Sequence, residues 1–277
     1  TCAGRFTPML LHSDLKIADT VAAALAAGRP VVALESTIIA HGFPFPANVD
    51  LARELESAVK SAGAVPATIA IVNGVAHCGL SEVDLERLAS DATFTKCAAR
   101  DVPVALATGA NAATTVSATC LIAASVGIEV FATGGIGGVH RGAEATWDES
   151  ADLAALSRWP VAVVSAGAKA ILDLPKTLER LETLSVPVVG YATYELPAFY
   201  SRTSGCRLTC RCDDVSSLAA IWRRQRAFGG MLIANPIQAD DEIPQALVEV
   251  WIAEALKKAQ KDGVSGRSLT PFLLAEI

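Results

Sequence analysis

The sequence predicts a layered α/β fold built on a largely parallel sheet, and three observations carry that reading. Short apolar runs rich in β-branched residues recur along the chain, at Pro30–Glu35, Pro66–Val72, Val161–Val164 and Val186–Tyr191. The stretches between them repeat their apolar residues at helical spacing, and strands alternating with helices in this way build parallel sheets. Finally, only 19% of the 277 residues are charged and the mean hydropathy is +0.39, so much of the chain must be buried, in its own core or against copies of itself.

Taken in order, Leu15 to Ala27 reads as an amphipathic helix closed by Gly28. Pro30–Glu35 is a strand with a carboxylate at its end, and Asn48 is placed to cap a helix running to about Ala62. Pro66–Val72 is a strand that closes on Asn73-Gly74, and Ser81-Glu-Val-Asp84 is a helix start of the capping-box kind. Val102–Ala107 reads as a strand, followed by a Gly-Ala-Asn turn and a helix of small residues. Gly127–Thr133 is a strand leading into Gly134-Gly-Ile-Gly-Gly138, and a short helix is expected near Asp148–Leu156. After the Val161 strand, Ile171, Leu172, Leu174, Leu178 and Leu181 predict a helix over Lys169–Thr183. Val186–Tyr191, Cys206–Cys212 and Gly230–Ala234 complete the strands. With no repeat, low-complexity tract or linker, a single domain over 1–277 is expected.

The charge and the cysteines bound the function. A net charge of −6 with scattered basic residues argues against a nucleic-acid surface. Val102–Ile128 carries no charge, but its proline, glycine and hydroxyl residues point to a buried strand and helix rather than a membrane span. The seven cysteines lack the regular spacing of a secreted disulfide framework, which suggests an intracellular protein, cytoplasmic or organellar. Cys206, Cys210 and Cys212 alternate with Arg207, Thr209 and Arg211, so they read as the inner face of a strand rather than a zinc site.

Candidate chemistry gathers beyond the carboxyl ends of the strands, where α/β folds bind ligands. Glu35, the Gly134 loop, Lys169 and Asn235 all fall there. Lys169 follows a buried strand among small residues, at a predicted helix start. Helix dipole and burial would both favour its neutral amine, which can attack a carbonyl-type carbon; a surface lysine is the alternative. Glu35 fits either a half-buried carboxyl that passes protons or a turn cap. The Gly134–Gly138 loop suits either close backbone approach to a phosphate or a tight turn. Asp148 and Asp152, four apart with Ser150 between, could share a helix face and hold Mg²⁺ or Mn²⁺, or simply enrich a helix N-terminus in acids.

The longer motifs carry a resemblance. Val-Ala-Leu-Glu35-Ser-Thr-Ile-Ile-Ala-His-Gly42, Ala132-Thr-Gly-Gly-Ile-Gly-Gly-Val-His-Arg-Gly-Ala-Glu144, Ser150-Ala-Asp-Leu153, Ser165-Ala-Gly-Ala-Lys-Ala-Ile-Leu-Asp173, Pro197-Ala-Phe-Tyr-Ser-Arg202 and Thr270-Pro-Phe-Leu-Leu274 are similar to those of the pseudouridine-5'-phosphate glycosidases, also called the indigoidine synthase A-like family. The resemblance covers nearly the whole chain. It implies a three-layer α/β/α sandwich, a homotrimer, and reversible cleavage of pseudouridine 5'-phosphate by water to uracil and ribose 5-phosphate. It implies Lys169 as the Schiff-base lysine and Glu35 as the proton donor. Substrate contacts fall on Lys96, Val116 and Ser150-Ala151-Asp152, and a divalent metal, typically Mn²⁺, on Asp148. His140, within the matching glycine-rich motif, is expected at the site.

The chain also departs from the family pattern. Around Lys96 it reads Cys97-Ala-Ala-Arg-Asp101 where Ser-Arg-Arg-Asp is usual. It ends at Ile277, where family members usually continue with a segment carrying a site asparagine, so a C-terminal truncation is expected. Fusion to or partnership with a sugar kinase fits the resemblance too. Two other readings stay open: a class I aldolase-like lyase using Lys169 on another phosphosugar, and an oligomeric binding protein without activity.

Overall fold

The computed structural model describes residues 12–264 together with Phe272, Leu273 and Glu276. Thr270, Pro271 and Leu274 of the last family-like motif lie outside the described residues. The chain divides into two compact units at the Ala132–Thr133 bond.

The first unit contains β1 (Leu15–Ile17), α1 (Asp19–Ala26), β2 (Val31–Leu34), α2 (Thr37–His41), α3 (Ala47–Ser61), β3 (Val65–Val72), β4 (Val75–Cys78), α4 (Glu82–Ser90), β5 (Thr95–Cys97), α5 (Val102–Thr108), β6 (Ala112–Thr114), α6 (Val116–Val126) and β7 (Val130–Ala132). Its strands run in the order β1-β4-β3-β2-β7, with β6 on β3 and β5 on β6. β2 is parallel to both β3 and β7, whereas β3 and β4 form a hairpin. Asn73 and Gly74 turn that hairpin with φ of 50° and 74°, the pair of left-handed residues that a tight two-residue turn demands. β3 is buried at every position from Pro66 to Val72, so both of its faces are covered, and α1, α3 and α6 pack on it. This is why it reads as an unbroken apolar run rather than an alternating one.

The second unit contains α7 (Ala143–Thr146), α8 (Ala151–Arg158), β8 (Ala162–Ser165), α9 (Leu174–Thr183), β9 (Val188–Tyr191), β10 (Cys210–Cys212), α10 (Val215–Gln225), β11 (Met231–Ala234) and α11 (Gln245–Lys261). Its strands are all parallel, in the order β8-β11-β9-β10. The α/β reading with mostly parallel strands therefore holds in both units. Among the described residues no helix is long and apolar enough to cross a membrane.

Five local expectations are corrected. Leu15–Ile17 pairs with β4 as a strand, so the first helix begins only at Asp19. Val102–Thr108 is a helix, not a strand: Pro103 occupies its first turn and Gly109 ends it at φ 69°. Asn48 lies inside the first turn of α3 and is buried, without capping it. The cysteine strand is confined to Cys210–Cys212, in which only Cys212 is buried; Leu208, also buried, precedes it. The helix expected from Lys169 starts at Leu174, with Asp173 accepting a hydrogen bond from Lys176 N at 3.1 Å as its cap.

Candidate active site

In the second unit the glycine-rich segment is a backbone ladder. On one side Ile136 N donates to Gly167 O and Lys169 N to Ile136 O, both at 3.0 Å, while Asp173 N donates to Val139 O at 2.9 Å. On the other, His140 N donates to Asp148 O at 3.0 Å and Ser150 N to Gly138 O at 2.9 Å. His140, Asp148, Ser150 and Lys169 are thereby tied to one segment, and Ala151 and Asp152 follow Ser150 directly. The ladder also explains why Lys169 is not helical: its backbone pairs with Ile136, overriding the helical spacing of the leucines. Lys169 sits half-buried in a turn five residues before α9, so the helix-dipole argument for its neutral amine does not apply.

The glycines of this segment are there for packing. None of Gly134, Gly135, Gly137 or Gly138 has positive φ, so the tight-turn reading falls. A Cβ on Gly137 would lie 2.7 Å from Ser150 Cβ and 2.8 Å from Asp152 Oδ2. A Cβ on Gly135 would meet Phe199 Cε2 at 2.9 Å. Within the loop the N–H groups of Ile136 and Gly137 already donate within the unit, as do those of Val139 and His140 just after it.

Asp148 and Asp152 do not share a helix face. α8 begins at Ala151 with Ser150 as its cap, Ser150 Oγ accepting from Asp152 N at 3.2 Å. Asp148 precedes the helix in extended chain, half-buried, between Trp147 and Glu149. Asp152 is buried, and its Oδ2 accepts from Gly137 N at 2.9 Å. Glu149 is paired with Arg180 at 2.7 Å. Among the described residues no three His, Cys, Asp or Glu side chains group as a metal cage. The donor set fits only a hard cation held by the Asp148 carboxylate that keeps most of its water, which suits Mg²⁺ or Mn²⁺ and not zinc. A groove of about 430 Å³ beside Trp147, Lys176 and Arg180 is lined by none of the candidate residues.

In the first unit the candidates surround the β6–α6 junction. Glu35 is half-buried at the end of β2. Lys96 is exposed on β5, opposite Ala113 of β6. Val116 is the buried first residue of α6. Behind them lies a cluster of buried hydroxyls that sequence reasoning missed. Thr114 N donates to Ser36 Oγ at 2.8 Å, Thr37 Oγ1 to Thr114 O at 2.6 Å, and Thr119 Oγ1 to Thr114 Oγ1 at 3.0 Å. Nothing in the order of hydroxyl residues along the chain signals a cluster whose members lie up to 83 positions apart; a buried, polar residue on each of three separate elements is visible only in the fold. His41 was also not foreseen. It closes α2, and burial first, then the nearby Lys96 charge, hold its imidazole below the ordinary value against an opposing hydrogen bond that the ring donates to the Ala40 backbone. Asn235, at the end of β11, is exposed and donates its N–H to Ser165 O at 2.8 Å.

Comparison with known proteins gives these residues a context. A family model described as indigoidine synthase A-like protein matches residues 20–277. A pseudouridine-5'-phosphate glycosidase of Caldanaerobacter subterraneus is 52% identical over 270 residues, 96% of this chain and 88% of that protein. One from Herpetosiphon aurantiacus is 52% identical over 95% of this chain and 88% of its own length. Among solved structures, the prealnumycin C-glycosynthase AlnA in complex with ribulose 5-phosphate superimposes with a TM-score of 0.87 at 43% identity, over 95% of this chain and 86% of that one. An indigoidine synthase A-like protein from Thermotoga maritima gives 0.82 at 37% identity, over 89% and 82%.

Proposed function

The chain belongs to the indigoidine synthase A-like family, and from that premise we propose that it is an enzyme, a pseudouridine-5'-phosphate glycosidase. The carrying observation is 52% identity to glycosidases of that name over nearly the whole chain. The two units are read as one catalytic domain, which the span of the family match supports. The pentose 5-phosphate in AlnA supports a pentose phosphate as the sugar product.

The bond to be broken joins C5 of uracil to C1' of ribose, so protonating a glycosidic heteroatom cannot release the base. The proposed route opens the sugar first. Glu35 donates a proton to the ring oxygen while the neutral amine of Lys169 bonds to C1', and the C1'–O bond breaks. The C1'–C5 bond then breaks, C5 of uracil takes a proton, and C1' is left as the imine of Lys169. Water adds to the imine, returning the amine and ribose 5-phosphate. Lys96 is assigned to the phosphate, with Val116, Ser150, Ala151, Asp152 and His140 as further substrate contacts. Mn²⁺ is assigned to Asp148, where the bound cation would supply positive charge through its water shell. Asp152 has one oxygen committed to Gly137 N, so its role is in part to hold the glycine segment in place. The resemblance further supports a homotrimer, a link to a sugar kinase, and an intracellular setting.

The test is uracil release from pseudouridine 5'-phosphate with Mn²⁺, followed by borohydride reduction in ribose 5-phosphate. The reading expects uracil, and a reduced pentose phosphate mapped to Lys169. Lys169→Ala should show neither, and Glu35→Gln should bind the sugar phosphate but not turn over. Asp148→Ala should remove the response to Mn²⁺. An adduct on another lysine would sink the mechanism; trapping with triose phosphates and no uracil release would favour the aldolase-like reading.

A further inference from the structure

We propose that Thr114 is a positioning residue for Glu35. This rests on the reading of Glu35 as the proton donor. Thr114 is fully buried and ends β6. It joins the three chain segments that carry the first unit's candidate residues. Toward Glu35, it receives the Ser36 N–H on its carbonyl at 3.3 Å and the Thr37 hydroxyl there at 2.6 Å, and gives its own N–H to Ser36 Oγ at 2.8 Å. Toward Lys96, it stands opposite Cys97 in the β5–β6 ladder, whose carbonyl takes the N–H of Thr115 at 2.9 Å. Val116 follows two residues later at the start of α6.

The hydroxyl directions are determined by exclusion. A threonine hydroxyl has one proton to give. Thr114 gives it to Ile69 O at 2.6 Å. The 3.2 Å contact between Ser36 Oγ and Thr114 Oγ1 must then be a donation from Ser36. Thr114 Oγ1 accepts from Ser36 and Thr119 and is saturated. Removing that one oxygen leaves the Ser36 hydroxyl without its acceptor and Ile69 O without its donor. Ser36 is the residue bonded to Glu35, so the disturbance reaches the carboxyl through a single peptide link. Thr119, by contrast, touches this cluster through one donated bond, to Thr114 Oγ1, and makes no hydrogen bond to Ser36 or Thr37.

Three variants test this: Thr114→Val, which keeps shape and removes the oxygen; Thr114→Ser, which keeps the oxygen; and Thr119→Val, which removes a hydroxyl from the same cluster. Thr114→Val should lose about tenfold or more in kcat for uracil release with KM changed less than about twofold, the pattern of a group acting in the transition state. Thr114→Ser should restore most of the loss. Thr119→Val should lose a similar amount of thermal stability while keeping its kcat. A second readout is independent of turnover: carboxyl-carbon NMR of Glu35, whose titration should move by about half a pH unit or more in Thr114→Val and stay in place in Thr119→Val. Unchanged kcat and titration in Thr114→Val, or equal effects from Thr119→Val, would overturn the proposal. If the wild type releases no uracil, the reading of the reaction fails by itself and the Glu35 titration alone decides the role of Thr114.

Discussion

Gly137 shows how much of the candidate site rests on one missing methyl group. Its N–H is held by the Asp152 carboxylate, and the place a Cβ would take is filled by Ser150 and Asp152. Gly137→Ala therefore has to push Ser150 from the cap of α8 or break the Asp152 contact. We expect a loss of about 2–4 kcal/mol, the range for overpacking together with a disturbed buried hydrogen bond, measurable by urea denaturation. A loss no larger than that of an exposed surface change would show that the segment can relax. At this scale the sequence was legible in kind but not in cause. The glycines stood out, yet their reason is lateral packing, and no local pattern distinguishes that from a turn or a phosphate loop. The places of Glu35 and Lys169, each just beyond the end of a strand, were legible. The Thr114 cluster was not, because its members come from the start of α2, from β6 and from α6.

Asn48 carries the argument at the scale of elements. It is buried in α3, where its Nδ2 donates at 2.8 Å both to Ile39 O of α2 and to Ala89 O of α4. Two carbonyl partners require the nitrogen to face them, leaving Oδ1 without a partner among the described residues. One side chain thus joins three helices, and α2 is the helix that follows Glu35. Asn48→Ala should cost about 2–4 kcal/mol, since two buried carbonyls lose their donor. Asn48→Asp should be worse at neutral pH, because a buried carboxylate would face two carbonyls. Its folded pKa would be raised, so that extra penalty should shrink as the pH falls through that value and the acid regains a proton to donate. Equal stability of the two variants at neutral and acid pH would refute this account. Most strands were legible because β-branched runs bounded by glycine and proline are strong signals. The misplaced elements were short. Val102–Thr108 is apolar on all sides, so periodicity could not separate helix from strand, although Pro103 and Gly109 marked a helix start and stop. The α9 start was likewise marked, by Asp173 and Pro175, and outweighed by the leucine spacing.

For the whole molecule, the near-complete match to the family and to glycosidases of phosphorylated nucleosides supports the proposed phosphorylated substrate. Ribose 5-phosphate should accordingly raise the thermal midpoint by mass action: at a hundred times its dissociation constant the expected gain is about 2.7 kcal/mol. The same concentration of unphosphorylated ribose should do far less; equal shifts from the two sugars would remove the phosphate from the recognition. A different property follows from β10. It ends the order of strands in the second unit, pairs with β9, and is three residues long. Its central Arg211 faces outward, ion-paired to Asp213, and lies with Arg207 over the Tyr194 ring, at 5.0 and 5.9 Å. A strand edge is a template for another chain's strand, and a short edge carrying paired charge and a stacked aromatic is hard to extend. What reads in the folded protein as an ordinary surface ion pair is therefore also a barrier to fibre growth, one that matters most when the chain is crowded, heated or newly made.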